Sequence, residues 1–524
     1  MNTDDLPSPD EARIVVQLAE SGLADDLEPR LAAFLEPYVV QGKSADGWAA
    51  LTDAALTLGR LNVAGIFSGQ QIEGNPGDHN ARFNHGLILS WAEQYDAAQA
   101  VARDLITDVP ESDLGYQLMA DIAQTRGNWQ DMPAWWQKLR DNELARLADH
   151  PLGQSGMRFL NQDHGILHRF GETATQLDPY IKMLKLGWLP DGNDRLIAPS
   201  FAVANSSYLS YWADFIDILD DPDEINTHIE LANELRIHTR FFALPDGQLV
   251  SKMQGQAAVQ AAWQTAKHPP LLKLNHDHRA RGREALSQMG VPADAWFACL
   301  HVRESGFLRP HEAEIHAFRD ADIETYLDAV EAITAAGGWV IRLGDPTMRA
   351  LPKLPQVVDY AHHDLRSDWL DVYLLGAAKF VLGTTSGPTP VAVTFGTPVI
   401  MTNMVPHGER GPNQRSLFLP KIYRRSNGDP VPFSDMLDGP LRWLWNGKLL
   451  DATGLEAIDN SPQDIRDVTL EMMARLGDGF EASDADEALQ QGYRELFDRA
   501  DDFDTGSRIG NSFIRNYADL LQAK

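Results

Sequence analysis

The 524-residue sequence contains one cysteine, Cys299, which excludes an intramolecular disulfide framework and a cysteine-based zinc cluster. Cationic residues are also scarce, because 45 lysines and arginines stand against 75 aspartates and glutamates, for a formal net charge of −30. Such a surface repels nucleic acid and anionic lipid at long range, so we expect neither as a bulk partner. An anionic substrate can still bind where a pocket is locally basic.

The sequence has no segment with the length and apolarity of a membrane span. Residues 1–7 are acidic and lack the apolar core of a signal peptide. The longest uncharged run, residues 380–405, is interrupted by prolines, glycines and hydroxyl residues, so we interpret it as buried strands joined by a turn and a helix. We expect a cytoplasmic protein without a transmembrane segment, and a peripheral position at the inner face of the membrane stays open.

Short motifs that identify many nucleotide- and metal-dependent enzymes are missing. The sequence has no Walker pattern, no dinucleotide Gly-x-Gly-x-x-Gly and no His-Glu-x-x-His. It also has no Asp-x-Asp in a context typical of metal binding. We therefore expect no metal site and no bound cofactor.

Residues 1–150 have the apolar spacing of stacked helices. Two sets of residues recur with a step of 34: Leu61, Tyr95 and Trp129, and Ala64, Ala98 and Met132. This period is typical of tetratricopeptide-like helix pairs, which stack because one pair cannot bury its own apolar face. The segment is either a docking surface for a protein partner or acceptor, or a helical cap that stabilises the rest of the protein.

The rest of the chain alternates predicted strands and helices. We predict a first, weakly patterned Rossmann-like domain over residues 151–285, a second over 286–445, and C-terminal helices over 446–524. The pattern is clearest between residues 299 and 403, where strands near 296–300, 339–343 and 380–382 are separated by helices. This alternation predicts an α/β fold with a parallel, doubly wound sheet.

Candidate phosphate ligands follow two strands of the second domain. His301 and Arg303 come after the first strand, and a guanidinium can fork onto two phosphate oxygens. His301 could equally be a packed structural histidine, and Arg303 could form a surface ion pair with Glu304 or Glu312. Because the carboxyl ends of parallel strands meet at one edge, the basic turn suits a diphosphate held there.

A hydroxyl-rich glycine turn follows the strand near 380–382. Its candidate phosphate ligands are Thr384, Thr385, Ser386 and Gly387. Such turns also simply connect a strand to a helix. Asp371, five residues after Arg366, could orient Arg303 or a base, although a carboxylate in a first helical turn is common. Together these features indicate a nucleotide-handling enzyme.

The segment from 299 to 403 resembles the donor domain of fucosyltransferases of the core and protein-O types. It is more closely similar to a bacterial group of glycosyltransferases associated with surface-polysaccharide genes. The resemblance covers about residues 150–480 and is carried by His301-Val302-Arg303, Arg342-Leu343-Gly344-Asp345, residues 366–381 and Thr384-Thr385-Ser386-Gly387. It says nothing about the first 150 residues.

The resemblance implies a GT-B architecture, in which two Rossmann-like domains face a cleft and the second holds the donor nucleotide. It implies that Arg303 binds the donor β-phosphate, that Asp371 and Ser386 support the diphosphate, and that transfer is metal-independent and inverting. The donor-binding candidates are His301, Arg303, Gly344, Asp345, Arg366, Asp371, Thr384, Thr385, Ser386 and Gly387. The catalytic candidates are Arg303, Glu304 and Asp371.

One departure from the family pattern concerns the residues after the arginine. Glu304-Ser305-Gly306 stands where fucosyltransferases usually carry a second basic residue or an aspartate. The donor base and sugar therefore stay open, with a GDP-linked sugar favoured. Glu304 and Glu312 are the candidates for a general base within reach of the turn.

We accordingly expect a glycosyltransferase that moves a sugar from a nucleotide-sugar donor to a glycan or surface-polysaccharide acceptor. Two alternatives stay open. The first is a protein O-glycosyltransferase whose helical repeats bind a protein acceptor. The second is a non-catalytic adaptor of the tetratricopeptide type with a protein partner at residues 1–150.

Overall fold

The computed structural model describes residues 45–160, 165–304, 306, 310–477, 480–498 and 503–521. Residues 1–44 of the predicted N-terminal domain and Ser305 lie outside these ranges. The described residues fall into two compact units. The first comprises 45–142 with 310–316, and the second comprises 143–306 with 317–521.

The first unit is built from helices. Its long helices are α1 (Ala45–Thr57), α2 (Leu61–Gly74), α3 (His79–Trp91), α4 (Tyr95–Asp108), α5 (Leu114–Thr125) and α6 (Met132–Asp149), the last of which continues into the second unit. Shorter pieces are the 3₁₀ turn Trp129–Asp131 and the helix Pro310–His316. Alanines, leucines and aromatic residues on facing sides of these helices form the buried clusters.

The 34-residue step of the sequence recurs in the backbone of this unit. Gly59, Glu93 and Gly127 adopt left-handed conformations, with φ of 70°, 63° and 73°. In each case the following amide donates to the carbonyl oxygen five positions earlier at 2.8 Å, which ends a helix in the same way three times. The apolar set at 64, 98 and 132 is buried. The helix pairs therefore repeat in space, and their classification as tetratricopeptide-like stays a prediction.

The second unit contains a small parallel sheet near its beginning. Its strands are β1 (Met157–Leu160), β2 (Asn193–Ile197) and β3 (Asp217–Leu219), in that order. Helix α7 (Phe170–Lys185) connects β1 to β2, and α8 (Pro222–Glu234) follows β3. An antiparallel hairpin, β4 (Phe241–Ala243) and β5 (Leu249–Ser251), then leads into α9 (Lys252–Thr265). The Rossmann-like pattern expected between 151 and 285 thus corresponds to a three-stranded α/β layer.

A larger, seven-stranded parallel sheet follows. In spatial order its strands are β14 (Arg508–Ile509), β11 (Leu417–Pro420), β10 (Val399–Met404), β9 (Val381–Gly383), β6 (Phe297–His301), β7 (Trp339–Arg342) and β8 (Val357–Val358). All five residues of β6 and all six of β10 are buried, as in a sheet covered on both faces. The doubly wound α/β architecture predicted for this segment is confirmed.

Helices cover this sheet and a short ribbon flanks it. The longer helices are α10 (His276–Gln288), α11 (Leu327–Ala335), α12 (Asp368–Ala377), α13 (Pro388–Thr394), α14 (Pro462–Arg475) and α15 (Asp484–Asp498). The ribbon pairs β12 (Ile422–Arg424) with β13 (Glu456–Ile458). The shorter helical pieces are Pro151–Gln154, Ser200–Ala202, Ser206–Leu209, Ser210–Trp212, Ala317–Arg319, Ile323–Tyr326, Tyr360–His362, Phe433–Met436, Gly439–Leu441, Gly447–Thr453, Asn511–Asn516 and Ala518–Leu521.

Three local expectations change in the structure. The first strong strand extends through His301, so this residue ends β6 and does not begin the turn. The segment between the strands near 296–300 and 339–343, expected to be helical, includes a 3₁₀ turn at Ile323–Tyr326 that becomes α-helical at Leu327. The region expected to hold only C-terminal helices also supplies β14, which pairs in parallel with β11. The four domain boundaries themselves stay predictions.

The single cysteine is part of the core. Cys299 lies in the middle of β6 with no exposed surface, and its Sγ donates to the carbonyl oxygen of Leu374 at 3.4 Å. Burial raises the pKa of the thiol, so it is a poor nucleophile. Within the described ranges, no helix is long and apolar enough to cross a membrane.

Candidate active site

The carboxyl ends of β6 and β9 bring the two predicted turns together. His301 at the end of β6 pairs in register with Gly383 at the end of β9. Two residues after His301 and one residue after Gly383, the backbone N–H of Arg303 donates to Thr384 Oγ1 at 3.1 Å. The basic turn and the hydroxyl-rich turn are therefore neighbours at one edge of the parallel sheet.

Arg303 is almost completely buried at this edge. Its side chain is 4% exposed and forms an ion pair with Asp320. The main-chain oxygen of Asp320 accepts from Lys421 Nζ at 2.9 Å, which anchors the pair to the end of β11. Burial lowers the pKa of Arg303, with the Asp320 carboxylate opposing that effect and Arg169 adding to it. Asp320 thus holds the Arg303 guanidinium in place, while the charge of Arg169 repels that guanidinium.

A second guanidinium, Arg319, lies beside the first. Its Nη2 donates to the main-chain oxygen of Thr385 at 2.8 Å, and its Cζ lies 5.0 Å from the centre of the Trp445 ring. Its Nε is buried and has no hydrogen-bond partner among the described residues. Burial and the nearby charge of Arg303 lower the pKa of Arg319 to about 10, although Glu409 and Asp320 oppose the shift. Two mutually repelling arginines therefore face the hydroxyl-rich turn.

The first α/β layer contributes charged residues to the same place. Arg169 precedes α7 and acts electrostatically on Arg303 and Arg319. Glu172, in the first turn of α7, forms an ion pair with Lys252 at the start of α9. Burial tends to raise the pKa of Glu172, but Lys252, Arg169 and Arg319 together lower it below its ordinary value. The cluster therefore lies between the two sheets.

Close backbone contact fixes this junction. A Cβ on Gly171 would lie 2.5 Å from the Cα of Gly387, so the start of α7 touches the hydroxyl-rich turn directly. Position 171 needs a residue without a side chain because real Cβ contacts do not occur at that distance, whereas a Cβ on Gly387 would lie 3.2 Å from the nitrogen of Gly171. The two layers meet where the arginines gather.

A third carboxylate, Glu409, enters the cluster from the loop after β10. Burial raises its pKa to about 7, and Arg319 and Lys252 oppose that rise. Its Oε2 is buried and has no hydrogen-bond partner in the part of the chain that the structure describes. Near neutral pH this group exchanges a proton easily, and it can accept one from a bound hydroxyl.

Positive charge exceeds negative charge in this group of residues, which we call the cleft cluster. Its members are Arg169, Glu172, Lys252, Arg303, Arg319, Asp320 and Glu409. Four are cations, and one of the three carboxylates is near half-protonation at neutral pH. In a chain with a net charge of −30, a local excess of positive charge at the edge of a parallel sheet suits an anion.

The hydroxyl-rich turn lies against this excess charge. Thr385 is 7% exposed, and its Oγ1 has no hydrogen-bond partner within the described ranges. Ser386 and Gly387 complete the turn, and Ser386 supplies a carbonyl oxygen to the amide of Thr389. The following helix α13 has only seven residues, so hydroxyl and guanidinium groups supply more of the anion-binding capacity than its dipole does.

His301 and the turn after β7 line the neighbouring part of the edge. Burial, Arg342 and Arg303 lower the pKa of His301 to about 4, so its imidazole is neutral near neutral pH. Gly344 has φ of 155°, and a Cβ there would lie 2.4 Å from Met348 Sδ. Asp345 accepts from the backbone N–H of Thr347 at 2.8 Å and thereby shapes its own turn.

The structure places Glu304 away from the cleft cluster. Its Oε2 accepts from the backbone N–H of Arg349 at 2.9 Å, and its Oε1 lies 3.6 Å from Nη2 of Arg342. Arg342 has no exposed surface and also pairs with Asp359 at 3.1 Å. These contacts suit a structural carboxylate better than a general base. The side chain of the other candidate base, Glu312, lies outside the described ones.

Asp371 and Arg366 form a separate group. Asp371 is in the first turn of α12, and burial raises its pKa to about 6, opposed by a hydrogen bond from Tyr360 and by the charge of Arg366. The amide of Arg366 donates to the carbonyl oxygen of His363 at 3.0 Å. The interactions assigned to Asp371 hold it against this loop, whereas Arg303 is held by Asp320.

Sequence reasoning missed most of the cleft cluster. Arg303 was the only member among the predicted site residues. Arg319 and Asp320 stand in the stretch that resembles bacterial glycosyltransferases, which was the one signal for them. Arg169, Glu172 and Lys252 lie in the weakly patterned first layer, where no motif distinguishes them. Among the described residues, no group of three or more histidine, cysteine, aspartate or glutamate side chains is arranged to hold a metal ion.

Comparisons with known proteins give only distant likenesses. No protein-family model matches the chain, and no curated protein matches its sequence. Among solved structures, a family 9 glycosyl transferase from Veillonella parvula is 10% identical, with a TM-score of 0.34, 52% of this chain covered and 87% of that one.

Two further solved structures come from E. coli. The iron-containing dodecameric glycosyltransferase TibC is 11% identical over 49% of this chain and 60% of that one, with a TM-score of 0.29. Heptosyltransferase WaaC with ADP is 11% identical over 51% of this chain and 90% of that one, with a TM-score of 0.25. At such low scores these likenesses carry no argument, so the functional reasoning rests on the cleft cluster.

Proposed function

We propose that this protein is a glycosyltransferase that moves a sugar from a nucleoside diphosphate sugar to a glycan or surface-polysaccharide acceptor. The observation that carries the proposal is the pair of adjacent guanidiniums, Arg303 and Arg319, at the carboxyl edge of the seven-stranded sheet. Arg319 donates to the main-chain oxygen of Thr385, whose buried hydroxyl has no hydrogen-bond partner among the described residues, and Arg169 of the first α/β layer acts on both guanidiniums. A diphosphate satisfies all of these groups at once.

The charge of the cluster suits the departing half of the donor. When the bond between the anomeric carbon and the phosphate oxygen breaks, its electron pair stays on the diphosphate. Guanidiniums already held in place stabilise that developing charge without reorganising. Asp320 forms an ion pair with Arg303, whereas the guanidinium of Arg319 donates to a neutral main-chain oxygen, so Arg319 keeps charge for the ligand.

The acceptor half of the reaction needs a proton acceptor. As the acceptor hydroxyl attacks the anomeric carbon, its oxygen forms the new bond and its proton goes to a carboxylate. Glu409 suits this role because its Oε2 has no hydrogen-bond partner among the described residues and its pKa is near neutrality. Displacement from the face opposite the diphosphate gives inversion, and the arginines take the role that a metal ion has in other transferases.

A ligand panel tests the proposal. Purified protein is screened by thermal shift with pyrophosphate, GDP, UDP, ADP, CDP, dTDP and their sugar conjugates. A ligand at about a hundredfold its Kd adds about 2.7 kcal/mol of stability. We expect nucleotides of one base to raise the unfolding temperature. The protein should then consume the sugar conjugate of that nucleotide when an acceptor is supplied.

Matched variants identify the site. Arg303→Ala and Arg319→Ala remove cluster charges, whereas Arg425→Ala removes an exposed arginine paired with Asp435. The shift is expected to disappear in the first two variants and to persist in the third. A nucleotide shift that all three variants share, or the lack of any shift in the wild-type protein, contradicts the proposal.

A second candidate function follows from the repeated helix turns of the first unit. Three identical turns, each separated by 34 residues, are the geometry of a stacked array that presents an extended surface. A protein acceptor bound there would make the enzyme a protein O-glycosyltransferase. Sugar transfer to protein fractions and to free glycans, compared by mass spectrometry with the identified donor, discriminates the two acceptor classes.

A further inference from the structure

A pocket lies among the helices that cover the seven-stranded sheet. It has a volume of about 340 Å³ and is formed by α10, α12, the segment before α10 and the residue after α13. No lining residue belongs to the cleft cluster. Its apolar side is made by Leu274 and Phe395. Both side chains pack against Gly376, where a Cβ would lie 3.0 Å from Leu274 and 3.2 Å from Phe395.

The polar side of this pocket is made by cations. Lys273, Arg279 and Arg283 all line it, and each is exposed. No side-chain hydrogen bond or ion pair connects any of the three to another described residue. Elsewhere on α10 the situation differs, because Arg281 pairs with Asp277 at 3.3 Å. In an acidic chain, three cations without carboxylate partners surround one pocket.

The spacing of the two arginines increases this local charge. Arg279 and Arg283 are four residues apart, so they lie one above the other on the same face of α10. Like charges in this arrangement disfavour the helix slightly, and an anion between them removes that cost. A bound anion would therefore stabilise this helix, and no carboxylate of the described residues pairs with either arginine.

A tyrosine hydroxyl completes the pocket. Tyr373 lines it and is 5% exposed, and its ring packs against Gly282, where a Cβ would lie 2.4 Å from the ring. No hydrogen bond joins its hydroxyl to any described residue, and Arg283 acts on it electrostatically. This hydroxyl is fixed by packing and has its hydrogen-bonding capacity free for a ligand.

We propose that the pocket formed by Lys273, Arg279, Arg283 and Tyr373 binds a phosphate monoester that carries an apolar group. The guanidiniums and the tyrosine hydroxyl bind the phosphate oxygens, which is the geometry that arginine recognises best. The apolar group lies against Leu274 and Phe395. Such an ester occurs either as a soluble metabolite or as the headgroup of a phosphatidic acid in a bilayer, and the chemistry is the same in both.

Three small probes test the chemistry by calorimetry on the full chain. Hexyl phosphate has both parts of the proposed ligand, inorganic phosphate has only the anion, and hexanol has only the apolar group. We expect hexyl phosphate to bind more tightly than either of the other probes.

Variants on one helix make the test specific. Arg283→Glu reverses a charge that lines the pocket, whereas Arg281→Glu makes the same change on the same helix at a residue paired outside it. Losing a charged contact should weaken hexyl phosphate binding about tenfold or more in the first variant and leave it unchanged in the second. Tyr373→Phe, which removes only the hydroxyl, should weaken binding while preserving the fold.

The outcomes separate the proposal from its rivals. Equal weakening in both glutamate variants, no effect of Arg283→Glu, or no binding of hexyl phosphate overturns it. Co-sedimentation with phosphatidylcholine vesicles containing phosphatidic acid, lost in Arg283→Glu, identifies the bilayer as the source. Binding of the soluble ester without co-sedimentation identifies a soluble ligand. None of these results depends on a nucleotide binding at the cleft cluster.

Discussion

Replacing Arg319 with glutamine should not destabilise the ligand-free protein, although Arg319 is a largely buried arginine. The usual consequence of removing a buried ion-pair partner is a large loss of stability. Arg319 differs because burial and Arg303 lower its pKa from 12.5 to about 10. A cation whose pKa is lower in the folded state destabilises the fold at any pH below that value, so removing its charge relieves a cost.

The expected magnitude follows from these contacts. One pKa unit corresponds to about 1.4 kcal/mol, so the drop to about 10 corresponds to about 3 kcal/mol against folding. The substitution also loses a charged hydrogen bond to Thr385, worth about 2 kcal/mol. The loss of the contact with the Trp445 ring costs about 0.5 kcal/mol more. We expect a net change between zero and a gain of about 1 kcal/mol.

Urea unfolding followed by tryptophan fluorescence measures this change, with Arg342→Gln as the matched control. Arg342 is also buried, but it pairs with Asp359 and lies near Glu304. Its replacement leaves those carboxylates without a partner and should cost about 3–5 kcal/mol. With saturating pyrophosphate, Arg319→Gln should be less stable than the wild-type protein, because the wild-type protein gains stability from the ligand and the variant does not.

A loss of 2 kcal/mol or more in the free energy of unfolding of ligand-free Arg319→Gln would refute this reasoning. It would mean that groups of the protein itself compensate the charge of Arg319. A pyrophosphate gain equal in variant and wild type would refute the anion site itself. The first failure concerns the charge balance of the cleft cluster, and the second concerns its ligand.

Three further predictions concern the same region. Arg303→Lys should lower the rate of sugar transfer by about 10²-fold in single-turnover assays, because a single ammonium cannot replace the forked guanidinium, and an unchanged rate would contradict this role. Burial raises the pKa of Glu409 to about 7, so its contribution to stability is complete below the ordinary value of 4.5 and is lost as the pH rises through 7. Glu409→Gln should therefore flatten the decline of the free energy of unfolding with pH. An unaltered decline in the variant would count against the assignment. Gly171→Ala should weaken nucleotide-induced thermal shifts by pushing against Gly387, whereas Gly74→Ala, which meets nothing within 4 Å, should leave them intact.

The sequence predicted the second α/β layer well because its signals are local. Strand β6 and the first half of β10 are short apolar runs bounded by turns, and such runs indicate buried parallel strands without any tertiary information. The sequence also predicted that Arg303 and Thr384 are neighbours, because each follows a strand and the carboxyl ends of parallel strands lie at the same edge of the sheet. Helical spacing similarly indicated the repeated turns of the first unit.

The missed residues depend on contacts between distant segments. Arg319 reaches Thr385 from a 3₁₀ turn that lies 66 residues earlier in the chain. Glu172 and Lys252 meet each other, and meet Arg319, only after the two sheets come together. Glu304 misled for the same reason, because its sequence position beside Arg303 does not reveal that its carboxylate turns toward Arg342 and Arg349. No local pattern encodes such choices.

The order of strands in the large sheet has a consequence for how the protein is made. The outer edge of β11 is covered by β14, whose residues are translated about ninety positions later. Chains are synthesised at about 5–20 residues per second, so the hydrogen-bonding edge of β11 stays uncovered for several seconds after it emerges. An open strand edge can pair with another chain. We therefore expect nascent chains stalled before residue 508 to associate on the ribosome more readily than chains that have passed it.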